Sequence, residues 1–201
     1  MKTLVANRAI PVFVAVLAVA IGGTFALTSS SFDGIDVQKS GAHLVGHLEV
    51  IVHDENGMVK AYRQSDNQIV RDGMAIIASQ VFGDINMTSG PVHYMGIGTD
   101  NTGLDDYNIA LAAEVGGCAR RDVTWTNMTA VDAGGNLAQI SVNGTATFAG
   151  TDCAALSIDE AGVFTAGGAS AEMFARNTFN DVDLETSDSL TLNWDFVFTD
   201  S

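Results

Sequence analysis

The 201 residues carry 24 acidic and 9 basic side chains, a formal net charge of -15, with 47% apolar residues, 21 glycines and 2 prolines. That field repels phosphate backbones and anionic lipid surfaces, which argues against any nucleic-acid partner. The apolar content suffices for one sizeable core, and plentiful glycine with Val, Thr, Phe and Asn in short alternating runs points to a mainly β body.

In chain order, Lys2 and Arg8 precede the apolar run Ala9 to Leu27, "AIPVFVAVLAVAIGGTFAL". At about 1.5 Å per helical residue this run approaches bilayer thickness, so it is directed to the membrane. Two fates are open. The small residues of "GGTFA" suit removal as a signal peptide, with cleavage after Ala26. The stretch "NRAIPVFVAVLAVAIGG" also resembles the N-terminal segment of archaeal type IV pilin-like proteins, where a basic residue precedes the processing site and a small residue opens a retained helix. That resemblance implies a cut near Arg8 and Ala9. The retained helix would pack with its copies, because an apolar rod hides its stripe only in lipid or against other rods. The Glu found early in the mature helix of bacterial pilins is absent here. Thr28 to Gly41, "TSSSFDGIDVQKSG", is small, polar and turn-rich, and reads as a linker. The expected organisation is therefore 1–27 signal or hydrophobic helix, 28–41 linker and 42–201 head.

The head begins with alternation. Leu44, Leu48, Val50 and Val52 share one strand face, and His43, His47, Glu49 and His53 the other. "DENG" turns the chain, with Asn56 and Gly57 taking the positive φ, and "MVKAYRQ" returns as partner strand. "RDGMAIIASQVFG" changes to helical spacing, with Met74, Ile77, Ala78, Val81 and Phe82 as its stripe, Asp72 as N-cap and Gly83 as stop. "DYNIALAAEVGG" reads as a second brief helix ended by Gly116. Strands follow at "DVTWTNMTAV", "LAQISVNGTATFAG", "SIDEAGVFTAG", "AEMFARNTF" and "SLTLNWDFVF". In the last, Leu190, Leu192, Trp194, Phe196 and Phe198 point inward and demand a covering layer. The expected fold is a two-layer antiparallel β-sandwich with one or two short helices, preceded by the N-terminal hydrophobic helix.

"GIGTDNTGLDD" has the glycines of a phosphate cradle, but Asp100, Asp105 and Asp106 crowd it and no lysine follows. Gly96, Gly98 and Gly103 therefore read as turn residues. The three aspartates offer hard oxygen ligands for calcium, yet miss the EF-hand order, and capping is their simpler use. Cys118 and Cys153 are the only cysteines, and an even count in an exported chain reads as a disulfide. Sequons fall at Asn86, Asn127 and Asn143. Asn143 lies outward if Val142 and Phe148 lie inward, whereas Asn127 shares parity with Val123 and Trp125, which leaves its exposure doubtful.

His43 and His47 lie about 13 Å apart in an extended strand, too far to share one ion. A metal hydrolase using His43, His47, His53 or His93 ranks last among the readings. There is no "GxSxG" elbow, and the paired acids Asp105 with Asp106 and Asp159 with Glu160 read as turn residues. No catalytic, metal or cofactor constellation is expected.

From Leu48 to Phe198 the phrases "VIVHDENGMVKAY", "DNQIVRDGMAIIASQVFG", "HYMGIGTDNT", "NIALAAEV", "DEAGVFTAGG", "FARNTF" and "SDSLTLNWDFVF" are similar to β-rich tail-fibre-like proteins of phages and surface proteins of archaea. That resemblance implies a fold and a display role, with no catalytic residue to carry over. The leading expectation is a non-enzymatic extracellular structural protein, a pilin-like filament subunit or anchored surface protein. Its partners would be its own copies, cell-surface components, and the membrane through its N-terminus. The alternative is a receptor- or glycan-binding adhesin, with the 84–106 loops and Tyr94 and Tyr107 near its tip. "FDGIDVQ", Phe32 to Gln38, is a candidate for completing a neighbour's sheet by strand addition.

Overall fold

The computed structural model describes residues 42–83, 90–131, 134–135, 137–153 and 157–200. The expected N-terminal helix and linker lie outside them. Nine strands are present among the described residues: β1 (Ala42–His53), β2 (Val59–Ile69), β3 (Tyr94–Gly98), β4 (Arg121–Asp122), β5 (Trp125–Val131), β6 (Leu137–Ala149), β7 (Ile158–Phe164), β8 (Met173–Val182) and β9 (Ser189–Asp200). One helix, α1 (Arg71–Phe82), follows β2. The strands form a single sheet in the order β4-β3-β7-β8-β2-β1-β9-β6-β5. The described pairings are antiparallel.

The sheet curls so that its two halves face each other. Phe174 of β8 meets Phe196 of β9 edge-on at 5.0 Å between ring centroids, although β2 and β1 separate their strands in the sheet. Strand β2 makes the bend: most of it pairs with β1, while Gln68 and Ile69 pair with Arg176 and Ala175 of β8. On the other side, β4 passes to β5 across only Val123 and Thr124, carrying the chain from one half to the other. The expected mainly β, antiparallel fold is present, as one continuous curled sheet folded over its own core. The long alternating strand β9 supplies the centre of that core, with Leu190, Leu192 and Trp194 fully buried. Each such side chain is worth roughly 1.5–3 kcal/mol of burial.

The register of β1 defines two ends. At the proximal end, where the chain enters the head, Ala42 pairs with Asp200 and His43 with Thr199. At the distal end His53 pairs with Ser189, and the Asp54–Met58 turn follows, closed by Asp54 accepting N–H bonds from Asn56 and Met58 at 2.9 Å. Gly57 has φ 75°, as the turn requires.

The helix differs from expectation at its start and on its face. Its N-cap is Val70, without a side-chain cap bond, and Asp72 lies in the first turn. Val70 is buried and its N–H is held by the Phe174 carbonyl at 3.1 Å, so β8 replaces a polar cap. The buried face is Gly73 and Ile76, while Val81 and Phe82 are 60% and 69% exposed. Gly73 turns bare backbone toward Phe174 O, where a Cβ would collide, and of the expected stripe Met74 and Ile77 pack partly buried against the core while Val81 and Phe82 do not. Gly83 ends the helix with φ 70°, its N–H donating to Ser79 O.

The second helix does not form. Residues 107–117 are turns and irregular chain, because their amides have other acceptors. Ala112 and Ala113 N–H donate to the Glu160 carboxylate, Asn108 N–H to Asp105 O, and Val115 N–H to Ile97 O.

Candidate functional site

The chemistry of the head divides between a charged seam and an apolar opening. The seam begins with Glu160, Gly162 and Phe164 in β7, a strand buried on both faces from Glu160 onward, which puts a carboxylate inside. Glu160 and Arg176 meet there, Nε to Oε1 at 2.6 Å, and their side chains are 0% and 1% exposed. Arg176 spends its other donors on Asp100 O, Thr102 O, Gly103 O and Asn108 Oδ1. The pair therefore fixes the whole 99–113 loop, and full hydrogen-bonding is what makes two buried charges tolerable.

This overturns the turn reading of Glu160, and of Asp159 beside it, since both lie in β7. It also revises Gly96 and Gly98, which lie in β3 and are buried. Gly98 has no side chain because the Glu160 carboxylate occupies that space. Gly103 is a loop residue as expected. Asp159 Oδ1 is buried with no partner among the described residues, and desolvation, then the charges of Glu160, Asp100 and Asp181, push its carboxyl upward. Sequence reasoning missed Arg176 too. The available signal was "MFARNTF", where an arginine stands between apolar residues of both parities, Met173, Phe174, Ala175 and Phe179, and so needs a carboxylate if both faces are covered.

The acids proposed for calcium act separately. Asp100 accepts the N–H of Thr102 at 2.8 Å, and that bond, with the Thr102 hydroxyl and Arg176, holds its carboxyl below the usual range. Asp105 accepts Tyr107 N–H, and Asp106 accepts Gln68 Nε2. Among the described residues no three His, Cys, Asp or Glu side chains gather to hold a metal. His43, His47 and His53 line the outer face of β1 half-buried, His47 with Nδ1 3.2 Å from Asp66, and His93 is exposed elsewhere.

The distal end is stapled. Cys118 and Cys153 form the expected disulfide, with Cα atoms 4.7 Å apart. Arg121 pairs with Asp152 at 3.0 Å, and Lys60 with Asp188 at 2.8 Å and Glu185 at 2.9 Å.

The proximal end is open. A cavity of ≈ 240 Å³ is lined by Val92, Trp125, Val142, Phe174, Phe196 and Phe198. Phe198 lies on the inward face of β9 as expected, but at this open end it is 38% exposed. Trp125 is anchored by Nε1 donating to Val92 O at 2.7 Å. Beyond it every residue of β5 is exposed, including Met128 and Val131 at 59% and 63%. Asn127 is thus accessible despite its inward parity, because nothing described covers β5 past Trp125. Asn143 is half-buried on the outer face of β6. Asn86, Arg8, Ala9 and Ala26 lie outside the described residues.

The 99–106 loop, expected near a tip, packs instead at the proximal end, where Leu104 and Asp106 share a hollow with Leu44, Val45 and Gln68. No helix among the described residues is long and apolar enough to cross a membrane. The chain matches no family model, no curated protein and no solved structure.

Proposed function

We propose that this chain is a non-enzymatic extracellular structural protein of a prokaryote, either a pilin-like filament subunit or a membrane-anchored surface protein. The observation that carries the reading is the Ala9–Leu27 apolar run, joined by a polar linker to a disulfide-bridged β-rich head. A retained rod would sit in lipid or among its copies and hold the head outside, the halves of its curled sheet serving as the two layers of a sandwich. The disulfide suits an oxidising exterior, and the acidic surface suits salty surroundings. The partners are then further copies or cell-surface components.

N-terminal sequencing of mature protein from the cell surface, with negative-stain imaging, tests this. The expected result is a start near Ala9 and regular fibres. A start just after Ala26 removes the filament-core role, and a cytosolic product with an intact N-terminus overturns the proposal.

One observation favours the adhesin reading. Tyr62 is 45% exposed on the outer sheet face, its hydroxyl donating to Glu49 and lying 3.1 Å from the Gln64 side-chain amide, beside a ladder from Glu49 through Asn193 to Thr145. An aromatic ring within a hydrogen-bonding platform suits a sugar. Dispersed particles retained on a glycan array, and released by Tyr62→Ala, would select that reading.

A further inference from the structure

We propose that the free edge of β5 receives residues Phe32–Gln38 of a neighbouring copy as an added antiparallel strand, which covers the apolar cavity beside it. The proposal rests on the extracellular assembly reading above and supplies its contact.

The first observation is the edge itself. Among the described residues β5 ends the sheet, pairing only with β6, and its sequence "WTNMTAV" contains no Lys, Arg, Asp, Glu or Pro. Exposed edges are normally guarded by charge, proline or bulges, and here the register with β6 shifts only at the final step to Val131. Seven residues of bare edge with exposed Met128 and Val131 form a template for one more strand.

The second observation is the cavity. Trp125, the first residue of β5, is one wall, and Val142, the register partner of Asn127, is another. A strand laid along β5 would bring its inward side chains to this mouth. In "FDGIDVQ" Ile35 and Val37 share one face of an extended strand, so the segment offers two apolar groups to the cavity.

Chain length decides whose segment it is. Ala42 is level with Asp200 of β9, which through β6 is level with the Val131 end of β5. A strand added beyond β5 lies four strand spacings from β1 along the sheet, about 19 Å, whereas the four steps from Gln38 to Ala42 span at most about 14 Å. A chain's own segment therefore falls short even of the Val131 end, where it would in any case run parallel to β5. An antiparallel partner, the kind used throughout this sheet, must place Gln38 near Trp125, about 20 Å further along and beyond that tether. Only another copy can supply it. The segment persists in the mature chain whether processing falls near Ala9 or after Ala26.

The test uses full-length protein collected from the cell surface and oxidised, carrying Ile35→Cys with Thr129→Cys. The expected result is a ladder of disulfide-linked oligomers that reductant collapses and that neither single variant produces. A bridge confined to monomers would overturn the proposal in favour of the chain's own segment. Dimers of Thr129→Cys alone would overturn it in favour of β5 pairing with β5. Bridged monomers of Met87→Cys with Thr129→Cys would overturn it by assigning the edge to residues 84–89.

Deleting Phe32–Gln38 should abolish fibres while leaving the melting temperature of the head unchanged. Fibres that survive the deletion sink strand exchange and leave the filament reading intact. A ladder from material without fibres supports strand exchange and counts against the filament.

Discussion

Glu160 and Arg176 come from neighbouring strands, and together they close a loop that neither strand touches through its own backbone ladder. Glu160 binds the amides of Ala112 and Ala113, and Arg176 binds the carbonyls of Asp100, Thr102 and Gly103. Removing either partner leaves the other charged and dry. Glu160→Gln and Arg176→Met should each cost about 3–5 kcal/mol in urea unfolding. Hydrogen exchange should show the Ala112 and Ala113 amides losing protection in both variants.

Gly98→Ala probes the same seam from β3. The new Cβ would meet the Glu160 carboxylate and the Ala113 carbonyl, neither of which can move without breaking the loop's bonds. A loss of about 1–3 kcal/mol is expected from this overpacking, measured as a fall in the urea midpoint with unchanged slope.

The Cys118–Cys153 bridge spans 35 residues of sequence. In the chain-entropy account a loop of that length restricts the unfolded chain by about 4 kcal/mol. Reduction, or paired Cys118→Ser and Cys153→Ser substitution, should lower the unfolding free energy by roughly that amount. Calorimetry with and without reductant measures it.

The distal ion pairs set a pH dependence. The hydrogen bond from Lys60, aided by the Glu185 N–H, holds Asp188 below the ordinary carboxylate range against desolvation. Its stabilisation is complete above about pH 4 and is lost as pH falls through the depressed value. Asp188→Asn should therefore lower the melting temperature at pH 7, and its deficit should close below about pH 4. Lys60 is pushed upward by Asp188 and then Glu185, so its contribution is lost only as pH rises through that raised value.

Asp159 has the opposite sign. Desolvation raises its carboxyl, so its ionisation opposes folding, and protonation relieves the folded state as pH falls through the raised value. Asp159→Asn should raise the melting temperature at pH 7 and match the wild type below about pH 4. A melting temperature unchanged at pH 7 would mean that the charge is already compensated.

What was legible in the sequence was what local period encodes. Leu44, Leu48, Val50 and Val52 are buried together, as are Leu190, Leu192, Trp194 and Phe196, because a half-covered strand writes its faces in alternate residues. Cys118 and Cys153 were legible from their count alone. What was hidden depends on elements distant in sequence. The β2–β8 bend rests on two residue pairs, and nothing near Gln68 announces them. The helix face centres on Gly73 and Ile76, with Met74 and Ile77 of the apolar stripe at its margin, and the closeness of Gly73 to Phe174 is what the spacing did not announce. Residues 107–117 had helical spacing, but a carboxylate from β7 claimed their amides. The edge of β5 was readable as a strand, while its lack of cover required knowing that β6 alone flanks it among the described residues.

The pairing of Ala42 with Asp200 has a practical corollary for anyone labelling this molecule. A tag fused behind Asp200 would emerge beside Ala42, at the end where the chain enters the head. The bend at Asn56 and Gly57 stands at the opposite pole, about 36 Å away along the 12 residues of β1, so an epitope inserted there should stay readable by antibody on the folded head.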